Sequence, residues 1–332
     1  MRRPIAMTSL LMLGLWNLGW EPTAVAQSAR DAQVPVRTLK RSIIEGPSAS
    51  GDMTVLSEVV DETVRRDART SERTSSEFTT DANGRRRLVS VMEEQDVSQQ
   101  DGGHQITREF TRLDVDGRSR ITRREREQLS ARGNGLFVTE IEVTEPSING
   151  SGFVPTERIE QHERRVGDQV VERETTWSIN PRGSGRWSVL EQRVLTRDAA
   201  RDSAEAVEVI HRADSSGNLV QSERIVSREW TVRGQAFRTD EIYRRDINNS
   251  GSLTRQPVQH VEIVQTTLSG GGLDTARTVS GRVGDRLQVI ESAVERSRPD
   301  GSGGLVVEQE VQRSVVDGHF HVVLTGSRQE SQ

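Results

Sequence analysis

The sequence predicts an all-β fold: an extended antiparallel up-and-down meander of about 16 long strands, built from hairpin repeats of about 33 residues. Three observations carry that prediction. Turn signals rich in Gly, Asp and Asn recur at a near-constant interval. The segments between them alternate Val, Ile and Thr with charged residues. Only 32% of the 332 residues are hydrophobic and 4% aromatic, too few for a thick globular core.

The N-terminus reads first. Arg2 and Arg3 precede an apolar run from Ile5 to Trp20, and Ala24-Val25-Ala26 offers the small residues of a cleavage site. Residues 1–26 therefore read as a secretory signal peptide, with a retained anchor as the alternative. No later stretch approaches the roughly 18 apolar residues of a spanning helix, so the mature chain is expected to have no transmembrane helix. Export permits disulfides, but the chain has no Cys, which excludes them along with lipid attachment through a cysteine. Residues 27–50, with Ser, Ala, Pro and Gly and no periodicity, read as a flexible leader. Residues 51–332 read as one repetitive β domain.

Within that domain the glycines at 84, 117, 152, 185, 217 and 251 stand 32 to 35 residues apart, and lesser turns fall between them. Asp, Asn and Gly tolerate the positive φ of tight hairpins. Strand alternation is clearest in Leu305, Val307 and Val311, set against Glu308, Glu310 and Gln312. It is poorest in Thr156–Arg165, where Arg/Glu runs also suit a helix; the turn spacing favours strand. An apolar residue follows the turn glycine by two positions at Phe137, Trp187, Leu219, Leu253, Leu305 and Phe320, and these are expected to form a row near the hairpin ends. Runs such as Glu172-Arg173-Glu174, Glu223-Arg224 and Glu295-Arg296 suit cross-strand charge ladders. The D-x-x-G turns ending at Gly84, Gly117 and Gly217 resemble the repeat signature of YD/RHS shell proteins. Thr80, Leu113 and Ala213 replace that family's tyrosine and the period differs, so no family is assigned.

Two other architectures use the same elements, a propeller-like array and a closed barrel. An outer-membrane barrel needs a continuous apolar band flanked by aromatic girdles. Here the strand centres are charged and Tyr243 is the single tyrosine.

Composition and motifs then limit function. Lys+Arg 45 against Asp+Glu 50 leaves a net charge of −5, without the basic excess that nucleic acid requires. G-x-S-x-G, P-loop and H-E-x-x-H motifs are absent. His319 and His321 share a strand face beside Asp317, a weak metal pattern more simply read as polar surface. Asp246, Asn248 and Ser250, followed by Gly251 and Leu253, place oxygens as a calcium loop does, but position 12 is Pro257 and the flanks are strands. These three are the candidate metal ligands, calcium the one candidate cofactor, and Asx turns the competing explanation. No catalytic residue stands out.

The resulting expectation is an exported, non-catalytic β-repeat protein, secreted, periplasmic or at the cell surface. It would act as an envelope scaffold or adhesion surface toward a protein or an envelope polysaccharide. Alternatives are a secreted or periplasmic polysaccharide hydrolase, with its acid/base pair among the many carboxylates, and an outer-membrane barrel.

Overall fold

The computed structural model describes residues 36–47, 53–81, 84–99, 102–114, 116–133, 136–150, 152–179, 186–199, 203–246, 251–268, 271–299, 305–314 and 320–331. The expected signal peptide lies outside the described residues.

The described chain is strand and turn. In order the strands are β1 Val36–Pro47, β2 Met53–Arg65, β3 Thr70–Thr80, β4 Arg86–Ser98, β5 His104–Leu113 and β6 Ser119–Gly133. Then come β7 Leu136–Pro146, β8 Phe153–Val166, β9 Gln169–Ile179, β10 Trp187–Ala199, β11 Ser203–Ala213 and β12 Leu219–Val232. The last six are β13 Gln235–Arg244, β14 Gln259–Thr267, β15 Leu273–Val283, β16 Arg286–Pro299, β17 Leu305–Ser314 and β18 Phe320–Ser331. Each pairs antiparallel with the next, so the predicted up-and-down meander holds, including the strand over Thr156–Arg165 within β8.

Two features differ from expectation. β1 pairs with β2 on one edge and with β18 on the other, from Leu39 opposite Ser331 to Glu45 opposite Thr325. The meander therefore closes into a ring, so the closed barrel, an alternative on sequence grounds, is the architecture observed. There are also eighteen strands instead of about 16. One extra strand is β1, which lies in the segment expected to be a leader. The other arises from a turn without glycine between β2 and β3, where Asp67 Oδ1 accepts the backbone N–H groups of Arg69 and Thr70 at 2.7 and 2.8 Å. Eighteen strands about 4.8 Å apart, tilted about 40°, make a wall about 110 Å around and about 18 Å in radius.

The repeat has a backbone signature. In the D-x-x-G hairpins the Asp carbonyl accepts the Gly N–H, as at Asp81 and Gly84 (2.9 Å), Asp114 and Gly117 (3.1 Å), and Asp214 and Gly217 (3.0 Å). The glycines sit at φ +75°, +78° and +83°, where a side chain is strained. A few residues beyond such a turn the returning strand carries one unpaired residue, a β-bulge. The register leaves out Leu56, Val89, Thr122, Thr156, Leu190, Ser222, Ile290 and Val323. These eight lie on even-numbered strands near the same rim; a ninth skipped residue, Arg132, lies at the opposite end of β6. From Leu56 to Ser222 they are 32 to 34 residues apart, so the sequence repeat is a bulged hairpin. At two bulges a hydroxyl bonds the facing strand: Thr122 Oγ1 donates to the Phe110 carbonyl (3.2 Å) and Ser222 Oγ to that of Ile210 (3.0 Å). The even strand without a bulge is β14, which follows the longer connection Arg245–Val258.

Candidate functional site: the charged inner wall

Alternation and register divide the wall into two faces. One carries Glu94, Arg108, Glu125, Glu127, Arg193 and Glu208; among the described residues it also holds seven of the nine buried apolar side chains: Val143, Ile210, Val261, Val279, Ala293, Val307 and Val311. Ion-paired carboxylates on this face are 13–31% exposed, against 34–59% on the other apart from Glu58 and Glu160. Crowding of that degree marks the concave side. The first face is the inner wall.

Two ion networks dominate it. Arg108 stands directly opposite Glu94 on β4 and Glu125 on β6. Its guanidinium donates to Glu94 Oε2 (2.5 Å) and Glu127 Oε2 (2.7 Å) and lies 3.5 Å from Glu125, which also accepts from Arg123 (2.6 Å). Burial works against the charge of Arg108, but the hydrogen bonds to Glu94 and Glu127 hold its proton more tightly than usual.

Across the barrel, Arg193 pairs with Glu191 (2.7 Å), Glu208 (3.7 Å) and Glu174 (3.9 Å), and Arg212 with Glu191 (2.7 Å). Here acid outweighs base. Burial, with Glu223, Glu174 and Glu191 nearby, raises the Glu208 carboxyl above its ordinary value despite Arg193. Glu172, directly opposite Glu163, is raised likewise by burial and that neighbour, against Arg197 and Arg165. Glu191 moves the other way: burial opposes its charge, but hydrogen bonds from Arg193 and Arg212 outweigh it.

The anticipated charge ladders are therefore partly formed. Glu223 meets Arg244 at 2.9 Å, and Arg296 lies 3.9 Å from Asp274. Four opposed pairs are carboxylate on carboxylate: Glu93 with Glu109, Glu140 with Glu160, Glu163 with Glu172, and Asp198 with Glu205. Each is eased by a neighbouring cation, for example Arg124 on Glu109 (2.8 Å) and Arg158 between Glu140 and Glu160.

The outer wall is also charged. Every strand from β1 to β17 turns at least one charged side chain outward; Glu93, Arg124, Glu160 and Glu262 are examples near strand centres. A shallow open depression between β3 and β7 is lined by Glu72, Glu93, Glu109, Arg124, Arg126 and Glu142.

Of the sequence-predicted ligands only Asp246 lies among the described residues. Asn248 and Ser250 lie outside the described residues; the Asp246 backbone N–H donates to the Ser252 carbonyl at 2.8 Å, closing the turn. The carboxylate of Asp114 accepts the N–H groups of its own turn. Asp317 and His319 lie outside the described residues, as does the side chain of His321. Among the described residues no three His, Asp or Glu side chains are grouped to hold a metal ion.

No family model and no curated protein matches the chain. Solved structures do. Two engineered variants of the Rhodopseudomonas blastica porin align with TM-scores of 0.51 each, at 9% and 8% identity, over 90% of this chain and 100% of theirs. The chain thus has a porin-like fold: one antiparallel sheet of next-neighbour strands.

Proposed function

We propose that the protein is an exported cell-envelope β-barrel, without catalysis, whose water-filled and ion-paired lumen is a conduit for small hydrophilic solutes. Ring closure through the β1–β18 seam carries this reading, because closure turns one sheet face into a lumen. The porin-like fold supports an envelope location, and the charge of the inner wall suits hydrated solutes.

A purified mature barrel added to phosphatidylcholine vesicles is expected to release a small trapped hydrophilic dye. Closure is tested independently by Ser42→Cys with Arg328→Cys, facing positions across the seam in a protein that has no cysteine of its own. Quantitative cross-linking is expected. A cross-linked, folded barrel that binds vesicles and releases no dye would overturn the conduit reading.

The envelope scaffold or adhesion reading is the second one, favoured by the outward charges on seventeen successive strands. It predicts retention of an envelope polysaccharide by the folded barrel without dye release. Nothing favours the hydrolase, since the carboxylates around Arg108 are compensated by that cation. Calcium at Asp246, Asn248 and Ser250 stays a proposal for titration: a melting midpoint unmoved by calcium removes it.

A further inference from the structure

We infer that the barrel engages a lipid membrane through a narrow apolar collar on its outer wall at the bulged rim, leaving most of the charged wall in water. The inference goes beyond the conduit reading: it rests on the closed ring and requires no crossing of the lipid layer.

Large apolar side chains at that rim face outward: Leu56 is 47% exposed, Trp187 42%, Leu190 50%, Leu219 37%, Val289 42% and Ile290 40%. They sit on β2, β10, β12 and β16, and uncharged residues occupy the same level on the strands between, including Phe78, Thr111, Thr144 and Trp177. None of the eight bulge residues at this rim is charged, in a chain with 29% charged residues, whereas the residue skipped at the opposite rim is Arg132. A bulge near the rim thus sets an uncharged residue where strict alternation would bring the next charge closer.

Charge begins just below: Glu58, Glu93, Arg124, Arg158 and Arg224 each follow a bulge residue by two to four positions. Two outward arginines within the collar are occupied. Arg86 lies 3.4 Å above the Phe78 ring and pairs with Glu58 at 2.6 Å, and Arg282 donates to the Pro257 carbonyl at 3.1 Å. Beyond the collar, the Asp81, Asp114 and Asp214 carboxylates accept backbone N–H groups of their own turns.

The opposite rim differs. Exposed Val166 and Val232 are present there, but Arg164, Asp198, Glu205 and Arg228 interrupt them.

Geometry selects the occupant. The collar faces radially outward around the circumference at one height. A second barrel side by side, or a globular partner, would cover a sector, and an end-on copy would meet the turns instead of the wall. A planar lipid layer surrounds a tube on all sides at one level. Four to five residues at about 3.3 Å each, tilted about 40°, give a collar about 11 Å tall. That is under half of the about 25 Å band of an ordinary membrane barrel. Trp187 and Trp177 fit the interfacial preference of aromatic side chains.

The test uses the mature full chain and phosphatidylcholine vesicles, which carry no net charge. Wild type is expected to float with the vesicles. The triple variant Leu56→Glu, Leu190→Glu, Ile290→Glu is expected to float at least tenfold less. Val97→Glu, Val166→Glu, Val232→Glu at the far rim should float as wild type, with circular dichroism confirming that both variants fold. In single-tryptophan versions, bromine on the acyl chains should quench Trp187 and leave Trp230 unquenched. Equal loss in both triple variants, equal quenching of the two tryptophans, or a folded wild type that stays in the aqueous phase would overturn the collar. Binding without dye release leaves the collar intact and removes the conduit; an intact seam cross-link without binding does the reverse.

Discussion

Two sectors of the inner wall are built on the same bulged hairpin and held by opposite means. Around β4 to β6 the wall is an ion lattice centred on Arg108, with three carboxylates and no fully buried apolar side chain. Around β14 to β17 it is a patch of small hydrophobics, Val261, Val279, Ala293 and Val311, exposed by 8% or less, with Arg277 and Glu291 joined at its edge (2.7 Å). Backbone pairing is the same in both, so what differs is the force holding side chains to the wall. One sector answers to salt and pH, the other to methyl groups.

The sharpest break of this comparison is Arg108→Ala. Removing the shared cation strands Glu94, Glu125 and Glu127 together, and a loss of about 2–4 kcal/mol is expected in denaturant unfolding at low salt. Most of that difference should disappear at 1 M NaCl, where the charges are screened; an unchanged difference would show that Arg108 acts by packing.

In the apolar sector Val279→Ala should cost about 1–2 kcal/mol through two lost methyl groups and the space they leave. That cost should be the same at 0.05 M and 1 M NaCl. Salt dependence as large as that of Arg108→Ala would erase the distinction.

A smaller effect sharpens the electrostatic side. A carboxyl raised above its unfolded value makes the native state bind more protons than the unfolded chain, so its contribution to stability falls as pH rises through that value. For Glu208 this means that Glu208→Gln raises the melting midpoint at pH 7.5, and that the gain shrinks on acidification toward pH 4. A lower midpoint at both pH values would mean that the Arg193 contact outweighs burial. Smallest of all, Thr122→Val should lose about 0.5–1 kcal/mol with the hydroxyl bond to Phe110. Ile290→Val, at the matching bulge of the apolar sector, should lose a similar amount through packing alone.

Much of the fold was legible because turns are local. The D-x-x-G signal marked the Asp81, Asp114 and Asp214 hairpins, and their spacing gave the repeat. The Asp67 turn escaped because a side-chain carboxylate, without glycine, closes it. β1 escaped because Val36–Pro47 alternates weakly and is a strand through its two partners. Closure depends on Leu39 meeting Ser331, a register between opposite ends of the chain that no local pattern encodes. The charged strand centres argued against a lipid-facing barrel. Closure nevertheless occurs, because it depends on the pairing of β1 with β18 and not on what the strand centres carry.

The site was less legible. That Arg and Glu would ladder followed from composition, whereas the grouping of three carboxylates on Arg108 needed the register of β4, β5 and β6. The apolar residues after the turn glycines were legible as a row but not as its location: Trp187 and Leu219 are exposed on the outer wall, and Phe137 lies at the other end.

The bulged hairpin has a further consequence for size. Because each copy brings its own turn, its own bulge and two strands that pair with whatever copy lies beside them, it behaves as a unit of circumference. Inserting or deleting one copy changes the strand number by two and the radius by about 2 Å while leaving every local contact type in place. Gene duplication within such a chain would therefore tune the bore of the tube in even steps, with the seam between first and last strands re-forming at each new diameter.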